Sequence, residues 1–147
     1  MPVIEKIYAY GHNNISCTHN TTIEITKDNF LTKKGTCILG INASKACSDL
    51  NDDLKKKIHN EAKIKVFIKV ENSSESFYGF GSKDLPLSSQ KDLVFRKSEY
   101  ICDRTVLIKC SKSSKELDRN IIKKIKTPRK RFIILFEVMR FSEANET

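Results

Sequence analysis

The sequence predicts a mostly-β fold, α+β by content. It is a single antiparallel β-sandwich, jelly-roll-like or partly closed into a barrel, and three observations point there. The stretch "AKIKVFIKVE" alternates, putting Ala62, Ile64, Val66, Ile68 and Val70 on one face and lysines with Phe67 on the other, the period of a half-buried strand. Further short β-prone runs are separated by polar or glycine-bearing turns. Only two stretches carry a helical period, and the regular strand–helix–strand alternation of a doubly wound sheet is absent.

Taken in order, "VIEKIYAY" reads as an opening strand, followed by "ISCTH", "TTIEIT" and "CILGINA", with Lys33-Lys34-Gly35 as the clearest break. Through "ACSDLNDDLKKKIHN", Ala46, Leu50, Leu54 and Ile58 recur every fourth residue, with acids early and lysines late, predicting a helix over about 46–59. Lys63 to Ser82 reads as a hairpin across the turn cluster "ENSSES". "DLVFRKS" and "RTVLIKC" supply a later strand pair. A second helix over about 113–126 is announced by Ser113 and Glu116 as a capping box, Leu117, Ile121 and Ile125 as its stripe, and Pro128 after its end. "KRFIILFEVMRFS" is apolar on both faces and reads as a central strand. The total is about eight or nine strands in one domain over 1–141, with no internal repeat and a frayed tail at 142–147.

A chain of 147 residues can bury one sizeable core without a disulfide or a structural metal. No basic-then-apolar leader opens it, and no apolar run is long enough to span a bilayer. The five cysteines are irregularly spaced and form no C-x-x-C pair, which fits reduced, mostly buried thiols in a cytoplasmic protein. A net charge of +9 makes this a basic protein that favours acidic partners, RNA among them, although a lysine-rich surface also serves solubility alone.

Three constellations carry candidate chemistry. In "YGHNNISCTH", strand phase places Ile15, Cys17 and His19 on one face, with His12 in the turn before. Pairing with the next strand would bring Glu24 and the hydroxyls of Thr22 and Thr26 within reach, an acid/base or ligand cluster. The competing reading is a capped turn, with Asn13 and Asn14 satisfying backbone groups. The spacing of Cys17 and His19 matches no structural zinc motif, so no metal and no cofactor is expected. In "VFRKSEYICDRTVLI", Arg96 shares a face with Val94, and Arg104 shares one with Val106 and Ile108. A guanidinium in line with apolar positions needs either an anionic ligand or an internal partner such as Asp103, Glu24 or Glu99. In "KKIKTPRKR", Lys123, Lys124, Lys126, Arg129, Lys130 and Arg131 make a basic run suited to a phosphate backbone, or to the dipole at a helix C-terminus. Walker A, G-x-G-x-x-G, H-E-x-x-H and G-x-S-x-G signatures are all absent.

The blocks "GHNNISCTHNTTIEIT", "LTKKGTCILGINASKACSDL" and "VFRKSEYICDRTVLIKCSKSSKELDR" resemble the archaeal family catalogued as domain of unknown function 371, from about Tyr8 to Phe136. Its first block falls on Gly11, His12, Asn14, Ile15, His19, Thr22, Glu24 and Thr26. The second falls on Leu31, Thr32, Gly35, Cys37, Ile38, Gly40 and Ala43, with Thr36 where the family has an aspartate. The third falls on Arg96, Lys97, Ser98, Asp103, Arg104, Thr105, Asp118 and Arg119, with "SKSSKE" replacing an alanine-rich form. The resemblance implies a jelly-roll-like β-domain in a cytoplasmic archaeal protein, a shared polar site around the first and third blocks, and no known activity.

The expectation is thus a domain that binds a small anionic ligand, a nucleotide or a phosphate. Arg96 and Arg104 hold the anion, Asn14, Thr22 and Ser98 contact the ligand, and His12, His19, Glu24 and Asp103 form the catalytic set if it is a hydrolase. The alternative is a non-catalytic RNA-associated or adaptor protein using the basic run.

Overall fold

The computed structural model describes residues 3–139; the expected tail at 142–147 and the far end of the last strand lie outside them. Strands β1 (Val3–Tyr10), β4 (Lys63–Val70), β5 (Ser73–Phe80) and β8 (Arg131–Val138) form one sheet in the order β1-β8-β4-β5. Strands β2 (Thr22–Thr26), β3 (Ile38–Gly40), β6 (Asp92–Arg96) and β7 (Thr105–Leu107) form the second, in the order β3-β2-β6-β7. Among the described residues the fold is mostly β, with eight strands in two sheets and no closed barrel. Isolated bridges, Tyr10 with Ile41 and Phe80 with Ile108, link the outer strands of one sheet to the ends of β3 and β7.

Alternation becomes burial as the sequence requires. Ile64, Val66, Ile68 and Val70 of β4, Phe132, Ile134 and Phe136 of β8, and Ile7 and Ala9 of β1 face the core. From the other sheet Ile23, Ile25, Leu93 and Phe95 meet them. Phe95 lies edge-on to Phe77, 5.3 Å between centroids, and stacks on Phe136 at 6.0 Å, so one ring joins both sheets.

The pairings within and between the hairpins are antiparallel, but β2–β3 and β6–β7 run parallel, because each of those connections loops over and returns in the same sense. Each expected helix is also divided. A 3₁₀ turn, Cys47–Asp49 or Ser114–Glu116, is followed by an extended leucine and then by α1 (Asp52–His59) or α2 (Arg119–Ile125). Leu50 and Leu117 have ψ of 144° and 151°, which ends the turn and sends each buried leucine into the core. The α-helices take their own N-caps: Asn51 accepts from the Leu54 N–H and Asp118 from the Asn120 N–H, both at 2.8 Å. The Ser113–Glu116 box therefore closes the 3₁₀ turn and not the helix. "ISCTH" is not a strand, since Cys17 sits at φ 49°, which breaks the extended run.

The chain does contain an internal repeat, contrary to expectation. Exchanging β1–β4 for β5–β8 maps each sheet order onto itself reversed. Non-glycine residues at positive φ recur in equivalent places: Cys17 and Leu87 (49° and 52°), Asn42 and Lys109 (51° each), Glu61 and Arg129 (63° and 64°). Buried Glu5 accepts from Lys45 Nζ and from the N–H groups of Lys6 and Asn51. Glu75 does the same with Lys112, Ser76 and Asp118. Gly11 and Gly81 are matched as well. A Cβ on either would lie 2.0–2.1 Å from a helix carbonyl oxygen, Ile125 O or Ile58 O, so the turn after β1 and after β5 can press on its helix only as glycine.

Candidate functional site on the outer face of the β2–β6 pair

The β2–β6 register sets Thr22 opposite Arg96, Glu24 opposite Val94 and Thr26 opposite Asp92. With Ile23, Ile25, Leu93 and Phe95 turned to the core, these six residues share the outer face. The face is polar yet mostly withdrawn from water: Glu24 is 9% exposed, Asp92 3% and Thr26 1%. The connections leading into β3 and β7 bring Cys37, Cys102, Arg104 and Thr105 over it.

Arg104 stands between two carboxylates, its Nη1 3.4 Å from Asp92 Oδ2 and 3.7 Å from Glu24 Oε1. The internal ion-pair reading of Arg104 is thus realised, with Glu24 and Asp92 as partners. Glu99 pairs instead with Lys109. One guanidinium faces two acids, and Asp92 Oδ1 is buried without a hydrogen-bond partner among the described residues. Burial, reinforced by Asp92, pushes the Glu24 carboxyl above its usual range, and the attraction of Arg104 only partly offsets it.

Arg96 has no carboxylate partner among the described residues. Its Nε donates to Thr105 Oγ1 at 2.8 Å, its Nη2 to Cys102 Sγ at 3.4 Å, and Tyr100 lies under the guanidinium at 4.9 Å. Burial pushes the Cys102 thiol up. The Thr105 hydroxyl, the Arg104 N–H and the Arg96 guanidinium outweigh it and bring the thiol down to about 7. Cys17, Cys47 and Cys110 are driven the other way by burial, to about 12.

The remaining expected residues divide. His19 reaches the edge of this face: its Nδ1 accepts from the Thr21 and Thr22 N–H groups and lies 3.1 Å from Thr22 Oγ1. His12 Nδ1 accepts from the Asn14 N–H at 2.9 Å in a separate turn, and the Asn14 amide donates to Leu31 O. In the second half the same positions hold serines. Ser82 Oγ accepts from the Asp84 N–H, and Ser89 Oγ from those of Lys91 and Asp92. Each histidine therefore performs the turn-capping task that a serine performs opposite. Ser98 Oγ accepts from the Tyr100 N–H. Asp103 is exposed and uses its backbone carbonyl to hold Ser89. Arg119 clamps the carbonyls of Ser16, Cys17, Ser114 and Leu117, a structural task.

In the basic run, Lys124 is taken by Ser73, Lys130 by Glu71, and Arg131 by the Tyr8 ring. Lys123, Lys126 and Arg129 are exposed. Among the described residues, no group of three or more His, Cys, Asp or Glu side chains is placed to hold a metal ion, and no helix is long and apolar enough to cross a membrane. Sequence reasoning missed Asp92 and Cys102. Asp92 was discoverable from its alternation with Val94 and Arg96; nothing in the sequence marks Cys102 apart from the other cysteines.

Comparison with known proteins matches residues 7–139 to a family model described as a domain of unknown function, DUF371. The chain is also 48% identical over 120 residues to the uncharacterised protein MJ0206 of Methanocaldococcus jannaschii, covering 82% of this chain and 89% of that one. Gly11, His12, Glu24, Arg96, Arg104 and Arg119 all fall inside the matched span, and the chain belongs to the DUF371 family.

Proposed function

We propose that this chain is a small-ligand-binding β-domain whose site is the outer face of the β2–β6 pair. Its ligand carries an anionic group, such as the phosphate of a nucleotide, for Arg96, and a hydrogen-bond donor for Asp92. The observation behind this reading is Asp92 Oδ1, an acceptor buried with no donor among the described residues, beside a guanidinium that is 43% exposed. An unmatched buried acceptor costs about 1–3 kcal/mol, and a ligand N–H or O–H entering past Arg104 would remove that cost. Arg96, uncompensated by any carboxylate among the described residues, suits the anionic end, and its planar fork favours phosphate or carboxylate. If the site is catalytic, as in hydrolysis of a phosphate ester or acyl group, Glu24 is the better general acid or base than His12. It shares the face, and its proton affinity is raised.

The test is a thermal-shift screen of nucleotides and phosphorylated metabolites, paired with iodoacetamide alkylation of Cys102, which lies beside both arginines. A true ligand should stabilise the protein and shield Cys102, with both effects lost in Asp92→Asn and Arg96→Gln. Stabilisation that survives both substitutions sinks the reading. The adaptor alternative draws on the exposed Lys123, Lys126 and Arg129; neutralising them should flatten the salt dependence of RNA binding.

A further inference from the structure

Two cavities occupy equivalent places in the two halves, and their chemistry has diverged. One, of about 220 Å³, is lined by Tyr10, Gly11, His12, Asn29, Asn42 and Arg129 among others. The other, of about 400 Å³, has in the matching positions Phe80, Gly81, Ser82, Glu99, Lys109 and Glu61. The second is acidic: Asp84 joins Glu61 and Glu99, and its single cation, Lys109, is already paired with Glu99 at 3.5 Å. The first has no carboxylate in its lining among the described residues. Arg129 makes no ion pair among the described residues. His12 Nδ1 accepts a backbone N–H, so the neutral ring carries its proton on Nε2 and is a donor there. The amides of Asn13, Asn29 and Asn42 add further donors, while Tyr10 and Ile41 supply an apolar wall.

We propose that the first cavity is a binding site for a small-molecule phosphomonoester, its phosphate held by Arg129 and His12 and its organic part set against Tyr10 and Ile41. A dianionic phosphate offers enough acceptor positions to take up the guanidinium, the imidazole N–H and the amides together. The cavity volume suits a phosphate with a short organic group. Its acidic twin supplies an internal control: the same backbone, with Glu61 in place of Arg129, repels the same ligand. This site is separate from the β2–β6 face, and neither reading needs the other.

The test is an amide-resonance titration of the ¹⁵N-labelled full chain with inorganic phosphate, ribose 5-phosphate and a short oligouridine. Both small phosphates should give saturable shifts at Gly11, His12, Asn42 and Arg129 and leave Gly81 and Lys109 unmoved. Arg129→Asn should weaken them at least about tenfold, which is about 1.4 kcal/mol. Asparagine tolerates the φ of 64° at this position, so that variant keeps its fold. Asp92→Asn should leave the shifts at Gly11, His12, Asn42 and Arg129 unchanged whatever it does on the β2–β6 face, which separates the two sites. The assignment is overturned if millimolar phosphate produces no saturable shift, if the shifts persist in Arg129→Asn, or if oligouridine alone produces them.

Discussion

The two halves of the chain build the same scaffold from different residues, and where they differ is more instructive than where they agree. Glu5 and Glu75, Gly11 and Gly81, and the ion pairs Lys27–Asp49 and Lys97–Glu116 are duplicated one for one. Glu24, Arg96 and Arg104 are not: in the opposite half their places are taken by Val94, Thr26 and Cys37. Duplicated features are those the fold needs twice. Glu24, Arg96 and Arg104 gather on the β2–β6 face, whose chemistry the repeat does not account for.

The sharpest way to break the likeness is at its glycines. Gly11→Ala and Gly81→Ala each drive a Cβ into a helix carbonyl, and each should cost at least about 3 kcal/mol in urea denaturation. A cost at one position only would show that the halves do not share this constraint. Next come the buried glutamates. Glu5→Ala should cost about 3 kcal/mol and Glu75→Ala somewhat less, since the Glu5 side chain is 4% exposed and that of Glu75 13%.

Glu24 should behave in the opposite sense. A carboxyl that holds its proton more tightly in the folded chain stabilises the fold most at pH values below the ordinary 4.5, and that contribution fades as pH rises through the raised folded value. Glu24→Gln should therefore be neutral or stabilising by up to about 1 kcal/mol at neutral pH. Its Tm should also lack the decline expected of the wild type as pH rises above 4.5; an equal decline in both proteins would place the titration elsewhere. The smallest effect is expected for His12→Ser and His19→Ser, which copy Ser82 and Ser89. Each should change stability by less than about 0.5 kcal/mol, whereas alanine, leaving backbone N–H groups uncapped, should cost about 1 kcal/mol.

These contrasts also explain how far the sequence could be read. Strand β4 was legible because one face is buried and the period of two survives intact, and β8 because apolar residues fill both of its faces; of β5 only the "FYGF" half was legible, since Ser73–Ser76 read as part of the turn although they pair with β4. The helix breaks were not, because Leu50 and Leu117 keep the four-residue recurrence while the backbone between them and the helices is extended. "ISCTH" alternates like a strand, although Cys17 at φ 49° turns the chain, because a loop that buries every second residue carries the same pattern. The repeat was hidden because the shared positions are mostly apolar exchanges, such as Ile23 for Leu93 and Ile25 for Phe95. Arg96 and Arg104 were visible as charges in apolar phase, and Glu24 as a carboxylate between two threonines on the polar side of its strand. Their grouping depended on the β2–β6 register and on the connection before β7, neither of which local periodicity encodes.

The strand orders carry one more consequence. The pairings β1–β8, β2–β6, β4–β8 and β4–β5 all join a strand from before Glu71 to one from after it; within a half, among the described residues, only the short parallel pairs β2–β3 and β6–β7 and the single bridges Tyr10–Ile41 and Phe80–Ile108 form. Neither half can satisfy its own edges, so the protein is in effect a tethered dimer with the Glu71–Asn72 turn as its tether. Cleaved there, the two fragments should be unstructured apart and should reassemble on mixing, at a rate that rises with fragment concentration.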